Sequence, residues 1–156
     1  MIVWRIATEA PPRRATDLTG EGAKRTGGRW NSRGRAMVYC STSIALAVLE
    51  TVVHLSQQGL PLNRQLVQID IPDPLWATRQ TITSQTAPAG WNALPCGMVS
   101  TQYGDQWLAS GVSAILEVPS IVVPEESNVL INPRHHNAAA ITAISVRKWN
   151  YDLRLR

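Results

Sequence analysis

Residues 27–55 decide the fold: Gly-Gly-Arg-Trp-Asn-Ser-Arg-Gly-Arg, then Ala-Met-Val-Tyr-Cys, then Ser-Thr-Ser-Ile-Ala-Leu-Ala-Val-Leu-Glu-Thr-Val-Val-His-Leu. The pattern predicts a basic glycine-rich loop, a short buried strand that ends near Tyr39, and an apolar helix. Between Arg35 and Arg64 the only formally charged side chain is Glu50. Because a lone carboxylate in apolar surroundings is costly unless a cation meets it, Glu50 is a candidate for chemistry.

Helix signals are clear in the second half of this stretch. Three hydroxyl residues, Ser41, Thr42 and Ser43, are candidate N-caps, and apolar residues at 45, 48, 49, 52 and 53 repeat with a helical period. Gly59 and Pro61 are predicted to end the helix. The pattern therefore predicts one early apolar helix that packs on a sheet.

Two positions for Glu50 fit this helix. It lies at the edge of the apolar face, from which it could project into a cleft. It also precedes His54 by one turn, so it could instead be exposed and paired with that histidine. Periodicity alone leaves both readings open, and the upstream loop favours the first. There Arg29 and Trp30 follow two glycines, which allow close approach of the backbone to a ligand, while arginine offers a planar fork for phosphate or carboxylate.

Several short motifs resemble a known family. These are Gly28-Arg29-Trp30-Asn31, Tyr39, Leu49-Glu50, the run Ser-Thr-Gln-Tyr-Gly-Asp-Gln-Trp-Leu at 100–108, Val118-Pro119-Ser120 and Asn132-Pro133-Arg134-His135. Together they resemble the RES domain, named for an arginine, a glutamate and a serine that correspond here to Arg29, Glu50 and Ser120. The resemblance covers essentially the whole chain in the expected order, which makes it more specific than any single glycine pattern.

The resemblance implies a function. RES proteins are toxins of bacterial toxin–antitoxin pairs, resemble ADP-ribosyltransferases in fold, and break the nicotinamide–ribose bond of NAD as hydrolases or phosphorylases, with protein ADP-ribosylation in some members. It implies NAD as a substrate and no prosthetic group. It also implies an Xre-type antitoxin partner with a DNA-binding part, contact with DNA only through that antitoxin, and a homodimer.

Roles follow for the matched residues. Glu50 would stabilise the oxocarbenium-like ribose, and Arg29 would clamp the diphosphate. Tyr39 offers a ring face for nicotinamide and a hydroxyl for ribose or phosphate, although from the pattern alone it is an ordinary core tyrosine. Ser120 would position the ligand, although its pattern also fits a turn residue. Asn132 would contact the ligand or cap a turn.

Length and composition fit one domain, residues 1–156, of α+β class. We expect mixed or antiparallel strands, at residues 2–6, 66–71, 114–118, 121–123, 129–132 and 144–148, and a short helix at 105–110 closed by Gly111. Strands dominate the second half without regular βαβ alternation, so a doubly wound sheet is disfavoured. No functional prediction is made for residues 73–95.

Charge and cysteine content suggest the setting. Residues 1–35 carry eight arginines and lysines against three acids, which suits an anionic ligand but also fits a solvated surface. Two unpaired cysteines, Cys40 and Cys96, and no uncharged apolar run long enough for a membrane span suggest a soluble protein of the cytoplasm. The adjacent side chains of His135 and His136 are expected to diverge, with only His54 as a third histidine, so zinc is not expected.

Two other classes of function remain as alternatives. A nucleic-acid-binding or RNA-cleaving toxin would use the basic N-terminal loop and the C-terminal tail, where Arg147-Lys148-Trp149-Asn150-Tyr151 and Arg154-Leu155-Arg156 interleave cations with aromatic residues. A pure interaction module would use the cleft only to dock an antitoxin. Arg5 and Asp105 are assigned to structural ion pairs.

Overall fold

The computed structural model describes residues 1–55 and 60–155. In these residues, seven strands form one sheet in the order β4-β5-β6-β2-β1-β3-β7. Neighbouring strands are antiparallel except β4 and β5, which are parallel. The strands are β1 (Ile2–Thr8), β2 (Val38–Ser41), β3 (Arg64–Asp70), β4 (Gln80–Thr81), β5 (Ile115–Pro119), β6 (Ser127–Ile131) and β7 (Thr142–Trp149).

Four α-helices and one short 3₁₀ helix connect these strands in the described residues. They are α1 (Glu21–Thr26), α2 (Ile44–Val52), α3 (Asp73–Ala77), α4 (Met98–Ser110) and the 3₁₀ helix Ala138–Ala140. The fold is therefore α+β with a mixed sheet, as the sequence predicts. Among the described residues, no helix has the length and apolar character needed to cross a membrane.

Helix α2 begins at one of the three predicted caps. The hydroxyl of Ser43 accepts a hydrogen bond of 3.1 Å from Leu46 N, which satisfies one of the free amides at the helix start. The buried residues are Leu46, Ala47 and Val48, whereas Ala45 and Val53 are exposed. The predicted apolar stripe was therefore misplaced by about one residue. The helix ends at Val52, and the predicted stop at Gly59 lies outside the described residues.

Glu50 consequently lies on the sheet-facing side of α2 and not at its edge. Residues three and four apart share one side of a helix, so Glu50 follows Leu46 and Ala47 by one turn on the same side. That side packs on β1 and β3 through Ile6 and Leu66. The helix thus places Glu50 next to the surface of the sheet.

The sheet has an apolar layer on each face. One face, here called the α2 face, carries Ile6 and Leu66 beneath α2, and Leu116, Val118 and Leu130 beneath a group of tryptophans. The opposite face packs against residues 10–18, α3 and Ile141; its buried side chains include Val3, Val38, Cys40, Val67, Ile69, Ile115, Val129 and Ile131. Alternation along each strand separates the two layers.

Two sequence predictions about local structure were wrong. Residues 121–123 form bends and not a strand, because the hydroxyl of Ser120 accepts hydrogen bonds from the amides of Val122 and Val123, at 3.0 and 3.1 Å. The helix predicted at 105–110 begins instead at Met98, which makes α4 the longest helix at 13 residues among those described. Gly111 closes it as predicted, in the left-handed conformation with φ 59°.

Candidate active site

Strand β2 carries the two halves of the candidate site. Residues Tyr39 and Ser41 are two apart, so their side chains point to the same face of the sheet. Their partners on β6 are Leu130 and Asn128. Because Leu130 belongs to the tryptophan layer, this is the α2 face. Side chains gathered around Tyr39 and around Ser41 therefore lie on one surface, about 7 Å apart along the strand.

Around Ser41, the carboxylate of Glu50 is held at a single oxygen. Its Oε1 accepts a hydrogen bond of 2.8 Å from Ser120 Oγ and one of 2.5 Å from Asn128 Nδ2. Oε2 has no hydrogen-bond partner among the described residues, and those residues contain no Glu50–His54 ion pair. The Glu50 side chain thus projects from α2 toward β5 and β6 and does not pair with His54. Its hydrogen-bond partners are neutral, whereas the sequence led us to expect a cation.

Ser120 is fully buried directly after β5. Its backbone amide donates to Glu126 O at 2.9 Å, while its hydroxyl accepts from the amides of Val122 and Val123. Those two amides supply the acceptor bonds, so the hydroxyl hydrogen points at Glu50. The serine is therefore a turn residue whose hydroxyl also holds Glu50, and its contact with a ligand stays a prediction.

Asn128 is a residue that the sequence reasoning missed. It lies on β6 opposite Ser41, whose hydroxyl donates to Asn128 Oδ1 at 2.7 Å. Glu50 is 78 residues away in sequence. A single asparagine that follows Ser127 at a strand start gives no signal, and only the register of β2 with β6 brings it to Glu50.

Around Tyr39, the guanidinium of Arg29 is also held on one side. Its Nη1 donates to Trp91 O at 3.0 Å and to Ala93 O at 3.2 Å. Nε and Nη2 have no hydrogen-bond partner among the described residues. The side chain is half-buried, and a guanidinium can bind an anion with two hydrogen bonds through an Nε–Nη2 edge that protein groups do not occupy.

Tyr39 holds the loop that carries Arg29. Its hydroxyl accepts from Trp30 N at 3.0 Å and donates to Asn31 Oδ1 at 2.7 Å. Burial raises the pKa of this hydroxyl well above its usual range, so it stays protonated. Gly28 is required here, since a Cβ at this position would lie 2.6 Å from the tyrosine oxygen. The hydroxyl is thus engaged by protein, and a contact between the ring and nicotinamide stays a prediction.

Helix α4 supports the same loop along one side. Thr101 Oγ1 donates to Arg29 O at 3.1 Å, and Asp105 accepts from the amide and the hydroxyl of Ser32 at 3.0 and 2.5 Å. Between them, Gly104 lies directly against Trp30. This spacing of three and four residues places Thr101, Gly104 and Asp105 on one side of the helix, where all three contact residues 29–32.

The remaining predicted side chains have structural contacts. Asn132 is buried, donates to Leu108 O at 3.3 Å and accepts from Arg134 N at 3.0 Å, so it caps the turn after β6. Asp105 also forms an ion pair of 3.6 Å with Arg35. Arg5, by contrast, donates to the backbone carbonyls of Ala15 and Asp17, so its assignment to an ion pair with a side chain was wrong.

The histidine pair differs in detail from expectation, whereas the two cysteines are free as predicted. The rings of His135 and His136 stack with centroids 4.3 Å apart, so they do not diverge. The described residues contain no group of three metal-ligating side chains. Burial raises the pKa of the Cys40 thiol to about 12, which leaves it without thiolate character at neutral pH.

Two surface depressions of about 340 Å³ lie elsewhere. One is lined by Pro12, Arg13, Arg14, Thr16 and Asp17, and the other by residues that include Pro133 and His135. Neither includes Arg29 or Glu50. The candidate site therefore rests on the hydrogen bonds and the strand register described above and not on an enclosed cavity.

The C-terminal aromatic residues are part of the core. Trp149 and Tyr151 pack with α2, and the Tyr151 hydroxyl donates to Thr51 Oγ1 at 2.8 Å. Arg147 lies over the Trp149 ring, 4.4 Å from its centroid. Tyr151 is buried and Trp149 is half-buried with Arg147 over its ring, which weakens the argument that these rings stack on nucleic-acid bases.

Comparison with known proteins identifies the family of this chain. The family model described as the RES domain matches residues 2–154. The chain belongs to the RES domain family. Its RES domain is 55% identical, over 97% of this chain and 94% of the relative, to a protein of Sphingobium sp. (strain YBL2) named Prs ADP-ribosylating toxin. It is 36% identical to Toxin Res of Pseudomonas putida, over 99% of both chains.

A solved structure shares the fold of this RES domain. The crystal structure of the M. tuberculosis MbcT–MbcA toxin–antitoxin complex matches with a TM-score of 0.69, over 94% of this chain and 84% of that chain, at 16% identity. At that identity the match shows the fold alone. The resemblance predicted from the sequence motifs and the α+β fold class are both confirmed.

Proposed function

We propose that this chain is the toxin of a toxin–antitoxin pair and that it cleaves the nicotinamide–ribose bond of NAD. One observation carries the proposal: Glu50 and Arg29 lie on one face of the sheet, each anchored at one atom by neutral protein groups. A dinucleotide would be held at its diphosphate by the Nε–Nη2 edge of Arg29 and at its ribose by Oε2 of Glu50.

Cleavage of the nicotinamide–ribose bond requires a carboxylate to stabilise positive charge more than it requires a general base. The pyridinium nitrogen is already a good leaving group, so the C1′–N bond breaks with its electron pair going to nicotinamide. Positive charge then develops on the ribose, and a fixed anion stabilises it. An acceptor oxygen next forms a bond to C1′ and releases its proton to solvent. No prosthetic group takes part in these steps.

The acceptor that we favour is a protein side chain. The Sphingobium relative, at 55% identity, is named for ADP-ribosylation of Prs, which supports protein modification over hydrolysis or phosphorolysis. The antitoxin partner is inferred in the same way from the toxin–antitoxin complex that shares the fold. We further propose an Xre-type antitoxin, a homodimer and contact with DNA only through the antitoxin.

Product analysis tests this function directly. Purified protein incubated with NAD is expected to release nicotinamide, and mass spectrometry then identifies where the ADP-ribose has gone. Parallel reactions contain buffer alone, inorganic phosphate, or purified Prs. Mass gain on Prs would support transfer, free ADP-ribose would support hydrolysis, and ADP-ribose phosphate would support phosphorolysis. Intact NAD in all reactions would refute the proposal.

Replacing Arg29 with lysine is expected to raise the KM for NAD by about 10- to 100-fold with a smaller change in kcat. A lysine offers one point charge, which cannot keep both carbonyl contacts and also grip a diphosphate with two parallel hydrogen bonds. Steady-state kinetics of nicotinamide release measures this. The control is Arg33→Lys, an exposed arginine of the same loop, which should leave KM unchanged. Equal KM values for the Arg29 variant and wild type would contradict the diphosphate role.

A further inference from the structure

We infer that Asn128 is a positioning residue for Glu50, and that its side-chain amide, oriented by Ser41, fixes the carboxylate for cleavage of NAD. This inference rests on the proposed function and deepens it. The motifs that identify the family do not include Asn128 or Ser41. The observation behind it is a chain of hydrogen bonds from Ser41 Oγ to Asn128 Oδ1 and from Asn128 Nδ2 to Glu50 Oε1, of 2.7 and 2.5 Å.

The hydrogen bonds permit one orientation of this amide. An ionised carboxylate only accepts, so the amide group that faces Glu50 is the NH₂. The carbonyl then faces Ser41, whose hydroxyl supplies the hydrogen. Ser41 is buried, with 3% of its surface exposed, so water does not readily replace it as a donor. The amide can neither flip nor leave without breaking a contact.

Two donors on one carboxylate oxygen make the anion immobile. Rotation of the Glu50 carboxylate would cost its hydrogen bonds to both Asn128 and Ser120. The second oxygen is therefore held in one place before substrate binds, and no reorganisation is needed when charge develops on the ribose. Ser120 alone could not do this, because a carboxylate can still pivot about one hydrogen bond.

An aspartate at position 128 gives a distinctive test. Asn128→Asp keeps the shape and the acceptor for Ser41 but replaces the NH₂ donor by an oxygen facing Glu50. At acidic pH the two carboxyl groups share one proton, and the introduced group, when protonated, can donate to Glu50 as asparagine does. As pH rises both carboxyls ionise and repel each other. The variant's activity relative to wild type should fall about tenfold or more between about pH 5 and about pH 8.

Titration of other charged groups affects both proteins alike and therefore largely cancels in the ratio of variant to wild-type activity. Three neighbouring charged or titratable groups are the same in both proteins: Glu126, which accepts a hydrogen bond of 2.6 Å from Ser43, His54 on the turn after Glu50, and Arg29 near Tyr39. A residue that merely supported the fold would lower activity only as far as the protein unfolds, whereas a positioning residue lowers kcat in samples that remain folded. Nicotinamide release over the pH series, with thermal melting of each sample, separates these two cases.

Ser41→Ala provides a second variant that leaves Glu50 and Asn128 in place. Loss of the orienting hydroxyl should lower kcat for nicotinamide release about threefold to tenfold without changing KM, because the ligand contacts remain. A pH-independent ratio for Asn128→Asp, or full kcat in Ser41→Ala, would overturn the positioning role. If wild type itself leaves NAD intact, the proposed function fails instead. The positioning contact is then read from melting, where the Asn128→Asp deficit should widen as pH rises.

Discussion

Glu50→Gln is expected to lower the rate of nicotinamide release from NAD by about a thousandfold. The glutamine oxygen can still accept from Ser120 and Asn128 at 2.8 and 2.5 Å, so the fold should be retained. What is lost is the negative charge at the second oxygen, where positive charge develops on the ribose. The effect should therefore fall on kcat, with a melting temperature close to that of wild type.

A matched glutamate supplies the control for this change. Glu125 is exposed on the turn before β6, and Glu125→Gln makes the same substitution away from the site. It should consume NAD at the wild-type rate. Binding of a purified antitoxin should be unaffected in both variants, which would separate catalysis from a pure docking role. NAD consumption by Glu50→Gln at the wild-type rate would end the catalytic assignment.

Gly104→Ala is expected to destabilise the protein by about 3 kcal/mol, or about 10 °C in melting temperature. A Cβ on Gly104 would lie 1.8 Å from the backbone oxygen of Trp30, so helix α4 and the Arg29 loop would have to separate. The same separation would pull Thr101 and Asp105 from their loop partners. Activity should therefore fall along with stability, although Gly104 touches no ligand in our proposal.

Gly22→Ala is the matched control for the helix effect. Gly22 also lies in a helix, α1, and a Cβ there would meet nothing within 4 Å. Alanine has the higher helix propensity, so this change should be neutral or stabilising by up to about 1 kcal/mol. Chemical denaturation and NAD consumption measure both variants. Equal stabilities for the two variants would show that a Cβ at position 104 does not destabilise the contact with Trp30.

The sequence predicted the parts of the site that depend on local signals. The Ser43 cap, the apolar character of α2 and its isolated acid were readable because each depends on neighbours within one or two turns. The motifs then assigned Arg29 and Ser120 to the same site. The exact side of the helix was missed, since nearly every residue of α2 is apolar and the period is poorly defined.

The N-terminal half of helix α4, before Asp105, escaped prediction for a physical reason. The buried residues of α4 are Ser100, Gly104 and Trp107, so the helix packs mainly through small side chains. A search for apolar residues at helical spacing finds no stripe in such a segment. The strand predicted at 121–123 is absent for the opposite reason. Its apolar composition fits a strand, but two of the amides that a strand would use donate instead to the Ser120 hydroxyl.

The placement of Tyr39 and Ser41 on one short strand couples the two halves of the site to a single register. A shift of β2 by one residue against β6 would turn both side chains to the other face of the sheet. The Arg29 loop would then lose its hydrogen bonds to Tyr39, and Glu50 would lose its hydrogen bond from Asn128. Partial unfolding near β2 should thus remove both proposed contacts with NAD together, the one at the diphosphate and the one at the ribose.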